Sequence, residues 1–407
     1  MSSPKKPVLV QINCSSTGST GKIMRSISAV AQEAGFESHM ICAGAYTKII
    51  GPKELQPLSH IIEQKLQRKL NKFTGMYGCG FSQATKQLLN LLDEYNPDIV
   101  QLHNLHHHFF NIAALFEYLK KRQISTFWTM HDCWAWTGHC AHYMLQKCEG
   151  WKSGCKTCDY LHKYPVIYRD TAHILYQQKQ KSYGNMANLT MIAPSEWLLK
   201  QKRQSFLCDI PDVLIPNGID LNTFRPQKSG FREKHNIEDK FIVLGVSSEW
   251  TQGKGLDVFI RLAELLPDTS KIVLVGGRKS QVSRLPCNIL WIPRTESQEQ
   301  LAEIYSTADV FINPTREDNF PTVNLEALAC GTPVITFPTG GSPESIDESC
   351  GIVLSQPDEM AILKAIKTIK KADSCFTKEK CIQRASLYDY RNCMDRYIEC
   401  YRKTCGE

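Results

Sequence analysis

Short apolar runs, each closed by a Gly-, Pro- or Ser/Thr-rich turn and followed by a helical segment, recur along the 407-residue chain. The first run, residues 7–13 (PVLVQIN), reads as a buried strand. A Ser/Gly loop follows, then a helix predicted over Ile23–Ala34 and stopped by Gly35, and a second strand over 36–42. Further strands are expected at Asp98–Leu102, Ser125–Met130 and 189–195, and in the DVLIP run that reaches Pro216. Helices are expected over 82–95, Ala113–Arg122, Arg169–Asn185 and Glu196–Ser205. The pattern restarts at Phe241–Ser248. Strands follow at 271–277, 288–294, Ala308–Pro314, around Pro333–Ile335 and at 351–355, with helices over Leu256–Leu266, Ser297–Thr307 and Thr322–Ala329. Residues 361–407 read as helical. Regular alternation of this kind argues an α/β fold of two doubly wound, Rossmann-like domains with parallel sheets. Two such domains facing each other leave a cleft, the default ligand site. The polar stretch 227–240 marks the region of the boundary. The domains are placed at 1–220, with a Cys-rich insertion at about 133–160, and at 221–385, with a closing helix over 386–407 that packs back on the first.

Composition narrows the class. The chain is 42% hydrophobic and 22% charged, as expected of a globular rather than a disordered protein. No apolar run approaches the roughly 20 residues of a membrane helix. The start, MSSPKKPVLVQINC, lacks the apolar core of a signal peptide, so a cytoplasmic location is expected. The 17 cysteines are then read as reduced. A net charge of +7 fits an anionic ligand or an anionic membrane surface as readily as nucleic acid.

Five stretches carry candidate chemistry. From Asn313 to Thr336 a strand ends in a polar loop with Glu317, Asp318 and Asn319, and a short helix with Glu326 follows. The carboxyl edge of a strand is where open α/β sheets bind ligands. The loop after the first strand, with Gly18 and Gly21, has the form that sets helix N–H groups against a phosphate. It is not a P-loop, because Ser16 stands where Gly is required and Ile23 where Ser or Thr is. A tight turn that needs glycine for packing fits equally well. Four histidines, His103 and His106–His108, lie at the end of the third strand, and His131-Asp132 at the end of the next. Beyond them Cys140, Cys148, Cys155 and Cys158 lie near His139 and His142, a set suited to structural zinc, with free thiols or a disulfide as alternatives. Residues 59–73 form an amphipathic segment with Ile61, Ile62, Leu66, Leu70 and Phe73 near one face and Lys65, Arg68, Lys69 and Lys72 mostly elsewhere. Both a solvated surface helix and a helix lying on anionic lipid fit it.

The motifs in order resemble those of a family-4 retaining glycosyltransferase of the GT-B fold. They are the glycine loop, His131-Asp132, APSEWL at Ala193–Leu198, IPNGID at Ile215–Asp220, Lys254-Gly255, YSTADVFINPT at Tyr305–Thr315 and LEALACGTPVI at Leu325–Ile335. The segment from His131 to Leu161 resembles bacterial enzymes that build exopolysaccharide or O-antigen units. The resemblance implies a transferase that moves a sugar from a nucleotide-diphosphate donor to a lipid-linked saccharide acceptor. It implies no cofactor for catalysis, no nucleic acid, and a place at the cytoplasmic face of the membrane. Carried over by position, Glu326 would bind the ribose and Asp318 the transferred sugar, with His131 facing that sugar. Glu317, Asn319, Phe320 and Pro321 would line the donor loop, Lys254 would neutralise the diphosphate, and Gly18 and Gly21 would lie near the phosphates. Two positions depart from the family. Asp318 stands where Glu is usual, with Glu317 beside it, and Glu249 stands where an arginine is usual, so Arg278 or Arg294 would have to substitute. Two rivals remain on sequence alone: a sugar-nucleotide epimerase of the same architecture, and a zinc-stabilised nucleic-acid-binding protein with Trp134, Trp136 and Trp151 near its cysteines.

Overall fold

A computed structural model describes residues 5–43, 55–80, 82–106, 109–282, 285–356, 358–371 and 375–406. His107 and His108 of the histidine run lie outside them. The chain forms two compact units, Met1–Ile215 with Met394–Glu407, and Pro216–Cys393.

The first unit is built on a seven-stranded parallel sheet ordered β3-β2-β1-β4-β5-β6-β7. Its strands are β1 (Val8–Asn13), β2 (Glu37–Ala43), β3 (Leu55–Leu58), β4 (Ile99–Leu102), β5 (Ser125–Thr129), β6 (Leu189–Ala193) and β7 (Asp212–Leu214). β1 and β4 are buried along their whole length, as unbroken apolar runs covered on both faces must be. β3 was not anticipated. Its four residues, LQPL, are too short for a periodic signal.

The second unit carries a six-stranded parallel sheet ordered β10-β9-β8-β11-β12-β13. These are β8 (Phe241–Val246), β9 (Ser270–Val275), β10 (Ile289–Ile292), β11 (Val310–Asn313), β12 (Val334–Thr336) and β13 (Gly351–Val353). In each sheet the winding reverses once, between β1 and β4 and between β8 and β11. Such switch points open a crevice at the carboxyl ends of the strands.

Two elements start or divide differently from the sequence expectation. The first helix runs Gly18–Glu33, so Gly18 and Gly21 lie in its opening turn rather than in a loop. The C-terminal stretch is three helices, Glu359–Ile369, Lys378–Ser386 and Tyr390–Cys405. The last of them reaches the first unit through buried tyrosines. Tyr401 donates to Gln101 Oε1 at 2.8 Å, and the Tyr397 hydroxyl lies 3.2 Å from Thr129 Oγ1.

Candidate active site

In the second unit the loops that leave β8 and β11 are tied together. The Arg316 N–H donates to Gly253 O at 2.7 Å. Its guanidinium grips both Asp257 oxygens at 2.8 Å and Gln252 O at 2.6 Å. That bidentate pairing holds the Asp257 carboxyl below its usual range. Gly255 lets the loops meet: its φ is +73°, and a Cβ there would stand 2.6 Å from Pro314 O. Within this frame Lys254 Nζ lies 2.7 Å from Asp318 Oδ2 and donates to Glu317 O at 3.4 Å. The lysine thus meets the Asp318 side chain and the main chain of Glu317. Arg278 pairs with Glu249, the residue at the position where an arginine was expected. No ion pair of Arg294 is found among the described residues.

The helix Thr322–Ala329 follows Pro321 directly, and no side chain caps its first turn. Glu326 on this helix accepts from the Tyr305 hydroxyl at 3.0 Å. Tyr305 is fully buried, and burial together with Glu326 pushes its phenol well above the ordinary value, so it donates at every working pH. The helix is also held by a buried polar network. Asn313 donates to Asn324 Oδ1 at 2.8 Å, and Asn324 donates to Ser345 Oγ at 2.8 Å and Ser342 Oγ at 3.2 Å. The Thr336 and Ser342 hydroxyls lie 2.6 Å apart. This network fixes the TGGSPES loop against the helix. Tyr305, Asn324, Ser342 and Ser345 were not singled out from sequence. Only the YSTAD motif and the Ser-rich loop hinted at them, because a buried network depends on which strands become neighbours.

The structure places Phe320, an expected donor-loop residue, in the core. Its ring is buried in the core and tilted against Tyr388 with centroids 5.6 Å apart, and Asn217 donates to its carbonyl at 3.3 Å. It anchors the loop. Asn319 and Pro321 are buried beside it.

In the first unit the ends of β1, β4 and β5 bring three polar side chains into line. Gln11 donates to Met24 O at 2.9 Å, which turns its Oε1 toward His103 Nε2, 3.1 Å away. His103 Nε2 must then carry the proton, leaving Nδ1 to accept from His131 Nε2 at 3.1 Å. His131 Nδ1 is therefore the unprotonated nitrogen of a neutral ring. Burial lowers His131 to about 4 and His103 well below its ordinary value. Beside them Asp132 accepts from His106 Nε2 at 2.8 Å and from Trp134 N–H at 2.8 Å. Burial pushes the Asp132 carboxyl up, but the His106 ring and the other donors outweigh it and bring it to about 2. His103, His106, His131, Asp132 and Trp134 line one pocket.

Gly21 is explained by packing, since a Cβ there would lie 2.4 Å from the Ser16 carbonyl carbon. Gly18 has φ +73° and no atom within 4 Å of a would-be Cβ, so that side of the turn is open.

Cys140, Cys148, Cys155 and Cys158 line a second pocket with His139, His142 and Trp151. No disulfide joins any of the 17 cysteines. His139 Nε2 lies 3.2 Å from Cys158 Sγ, and the Gly138 N–H points to Cys155 Sγ at 3.2 Å. Trp151 Nε1 and His142 Nδ1 are buried without a partner among the described residues. Yet among those residues no three His, Cys, Asp or Glu side chains are grouped so as to hold a metal ion. The thiols converge on one pocket without forming an assembled zinc site, and no chemistry is assigned to a metal. The segment is fastened instead by Lys179, which donates to Trp134 O at 2.6 Å and Thr137 O at 3.0 Å. Tyr183 adds a 2.7 Å bond to Ala135 O.

Two Rossmann-like units, each with polar residues at the switch-point edge of its sheet, match the two-domain GT-B architecture. The model of glycosyl transferases group 1 matches residues 227–387, and that of glycosyltransferase family 4 matches residues 22–223. The chain belongs to these glycosyltransferases, which sets aside the epimerase and nucleic-acid-binding alternatives. It is 25% identical over 320 residues to the putative colanic acid biosynthesis glycosyl transferase WcaC of Escherichia coli K12, covering 75% of this chain and 76% of that one. Sucrose-phosphate synthase of Thermosynechococcus elongatus shares the fold at TM-score 0.73 with 17% identity, over 98% of this chain and 100% of that one. HepE of Anabaena, solved with UDP-glucose, does so at TM-score 0.65 with 13% identity, over 97% and 99%.

Proposed function

We propose that this glycosyltransferase moves a hexosyl group from a nucleoside-diphosphate sugar to a lipid-linked saccharide in surface-polysaccharide assembly, with retention of configuration. The observation that carries the donor half is the Lys254–Asp318 pair at 2.7 Å on the switch-point edge of the second sheet. A lysine beside an uncapped helix start supplies positive charge where a diphosphate leaves. The diphosphate would take over Lys254, freeing Asp318 to accept from hydroxyls of the sugar. Glu326, oriented by Tyr305, would bind the ribose diol, and Arg278 would add charge at the phosphates. Neutral His131 would accept a sugar hydroxyl proton at Nδ1.

In the reaction the bond from C1 to the phosphate oxygen breaks, and a bond from C1 to the acceptor oxygen forms on the same face. The acceptor proton passes to the leaving phosphate. Positive charge at the diphosphate stabilises that departure with no metal assigned a part. Support for a polysaccharide role comes from the likeness to WcaC, and support for a uridine donor from HepE, both by relationship. The test is incubation with a panel of nucleotide sugars and a lipid-linked oligosaccharide extract. Transfer should give a lengthened lipid-linked product and free nucleoside diphosphate, with the donor's anomeric configuration kept by NMR. Free epimerised sugar nucleotide, or a product of inverted configuration, would sink the reading.

A further inference from the structure

The helix Ile61–Thr74 is built with its polar side inward. Its buried residues are Gln64 and Asn71. Gln64 donates to Leu58 O at 3.2 Å. Glu63 faces the next helix and accepts from its first amides, Gln83 N and Ala84 N, at 3.3 and 2.9 Å. The large apolar side chains face out: Ile62 is 76% exposed, Leu66 64%, Leu70 52% and Phe73 68%. An ordinary surface helix does the reverse. At about 100° per residue, Ile62, Leu66, Leu70 and Phe73 fall within an arc of about 80°, and Lys65, Arg68, Lys69 and Lys72 occupy the adjoining arc of about 100°. The stripe extends beyond the helix. Phe73 packs edge-on against Tyr168, itself 62% exposed, at 5.5 Å, and the Tyr168 N–H donates to Lys72 O at 2.8 Å. The same segment leads to Tyr164, whose hydroxyl lies 3.2 Å from His106 Nδ1, next to Asp132.

We propose that this outward stripe, Ile62, Leu66, Leu70, Phe73 and Tyr168 with its border of Lys65, Arg68, Lys69 and Lys72, docks the first unit onto an anionic phospholipid surface. Burying the stripe in the headgroup region removes its apolar area from water, and the basic border meets the lipid phosphates. Two opposed signs of pattern exclude a solvated helix: the polar residues are spent inward, and the apolar ones have no cover among the described residues. Charge chooses lipid over a second copy of the chain, because two copies of a basic stripe repel. The docking deepens the lipid-linked-acceptor reading, since it would present the histidine pocket to the bilayer, but it rests on the helix and not on the chemistry.

The test is flotation of the full chain with vesicles of phosphatidylglycerol and phosphatidylcholine, with sedimentation and nucleoside-diphosphate binding measured on the same samples. The wild type should float with phosphatidylglycerol vesicles, lose binding as salt rises, and ignore pure phosphatidylcholine. Lys65→Gln/Lys69→Gln should lower partition roughly 30-fold, at about fivefold per basic residue. Leu66→Glu/Leu70→Glu should abolish it with the fold and nucleotide binding intact, because both side chains already face water. Failure of the wild type to float overturns the proposal. So does vesicle binding that survives both double variants, or a dimer that only Leu66→Glu/Leu70→Glu breaks while flotation persists. Flotation without any transferase activity would leave the docking standing and sink the proposed function instead.

Discussion

The two polar edges solve opposite electrostatic problems. In the first unit Gln11, His103 and His131 are largely or wholly enclosed and joined donor to acceptor, so burial fixes neutral rings and one tautomer. In the second unit Lys254–Asp318 and Arg278–Glu249 are partly exposed ion pairs, the first of them on loops that Arg316 clamps. Exposed pairs contribute little stability but can exchange partners at small cost. A buried neutral chain cannot exchange, but it aims one nitrogen in one direction. The contrast fits the proposed reaction, in which the charged edge would give up a cation to a diphosphate while the neutral edge would meet a sugar hydroxyl.

The sharpest way to break the contrast is at the lysine. Lys254→Ala should lower kcat/KM for the donor by ~10²–10³, the usual cost of one preorganised charge contact, and Lys254→Arg should recover part of it. A loss under about tenfold would mean that the charged edge is not the phosphate site. The carboxylates beside it come next. Because the Asp318 side chain lies 2.7 Å from Lys254, Asp318→Ala should cost roughly tenfold more in transfer than Glu317→Ala. The reverse order would shift the sugar contact to Glu317.

On the buried edge the prediction concerns pH. His131 is lowered to about 4, with burial the chief cause. As pH falls below the ordinary 6.5, the unfolded chain takes up a proton that the folded ring refuses. Stability is thus full above 6.5 and is lost down to about 4, by at most about 3 kcal/mol for this ring. Activity carries the same sign, because the neutral form is the working one. The acid limb of kcat/KM should fall well below 6.5. A limb centred near 6.5 that vanishes in His131→Gln would show the ring to be solvated and the relay to be wrong.

What the sequence made legible follows from the range over which its signals act. The parallel α/β alternation and the loop motifs that bring Lys254 to Asp318 were readable because apolar runs and loop motifs are local. The start of the first helix was misplaced because Ser, Thr and Gly suit a loop as well as a helix start, and Thr17 at the cap position makes no side-chain cap bond. The amphipathicity of Ile61–Thr74 was visible, but not which side faced inward, since period alone does not tell a core face from a docking face. Phe320 read as a polar-loop residue, whereas its ring is held by Tyr388, 68 positions later in the turn between the last two helices. The histidine relay depends on β1, β4 and β5 lying side by side, which no local pattern encodes.

The mildest test asks how far the exposed edge borrows from burial. Tyr305 packs its ring against Phe311, with centroids 5.5 Å apart, and gives its hydroxyl to Glu326 at 3.0 Å. Tyr305→Phe keeps the ring and removes only the donor. The Glu326 carboxylate is partly exposed and can be hydrated in its place, so the loss in stability should stay under about 1 kcal/mol. Donor binding should still weaken about fivefold, because the carboxylate loses the Tyr305 hydroxyl that helps to orient it for the ribose diol. Calorimetric titration with the nucleoside diphosphate, beside a thermal melt, separates the two effects. Unchanged affinity would detach Tyr305 from the donor site and leave Glu326 to orient itself, whereas a large fall in melting temperature would make the bond structural.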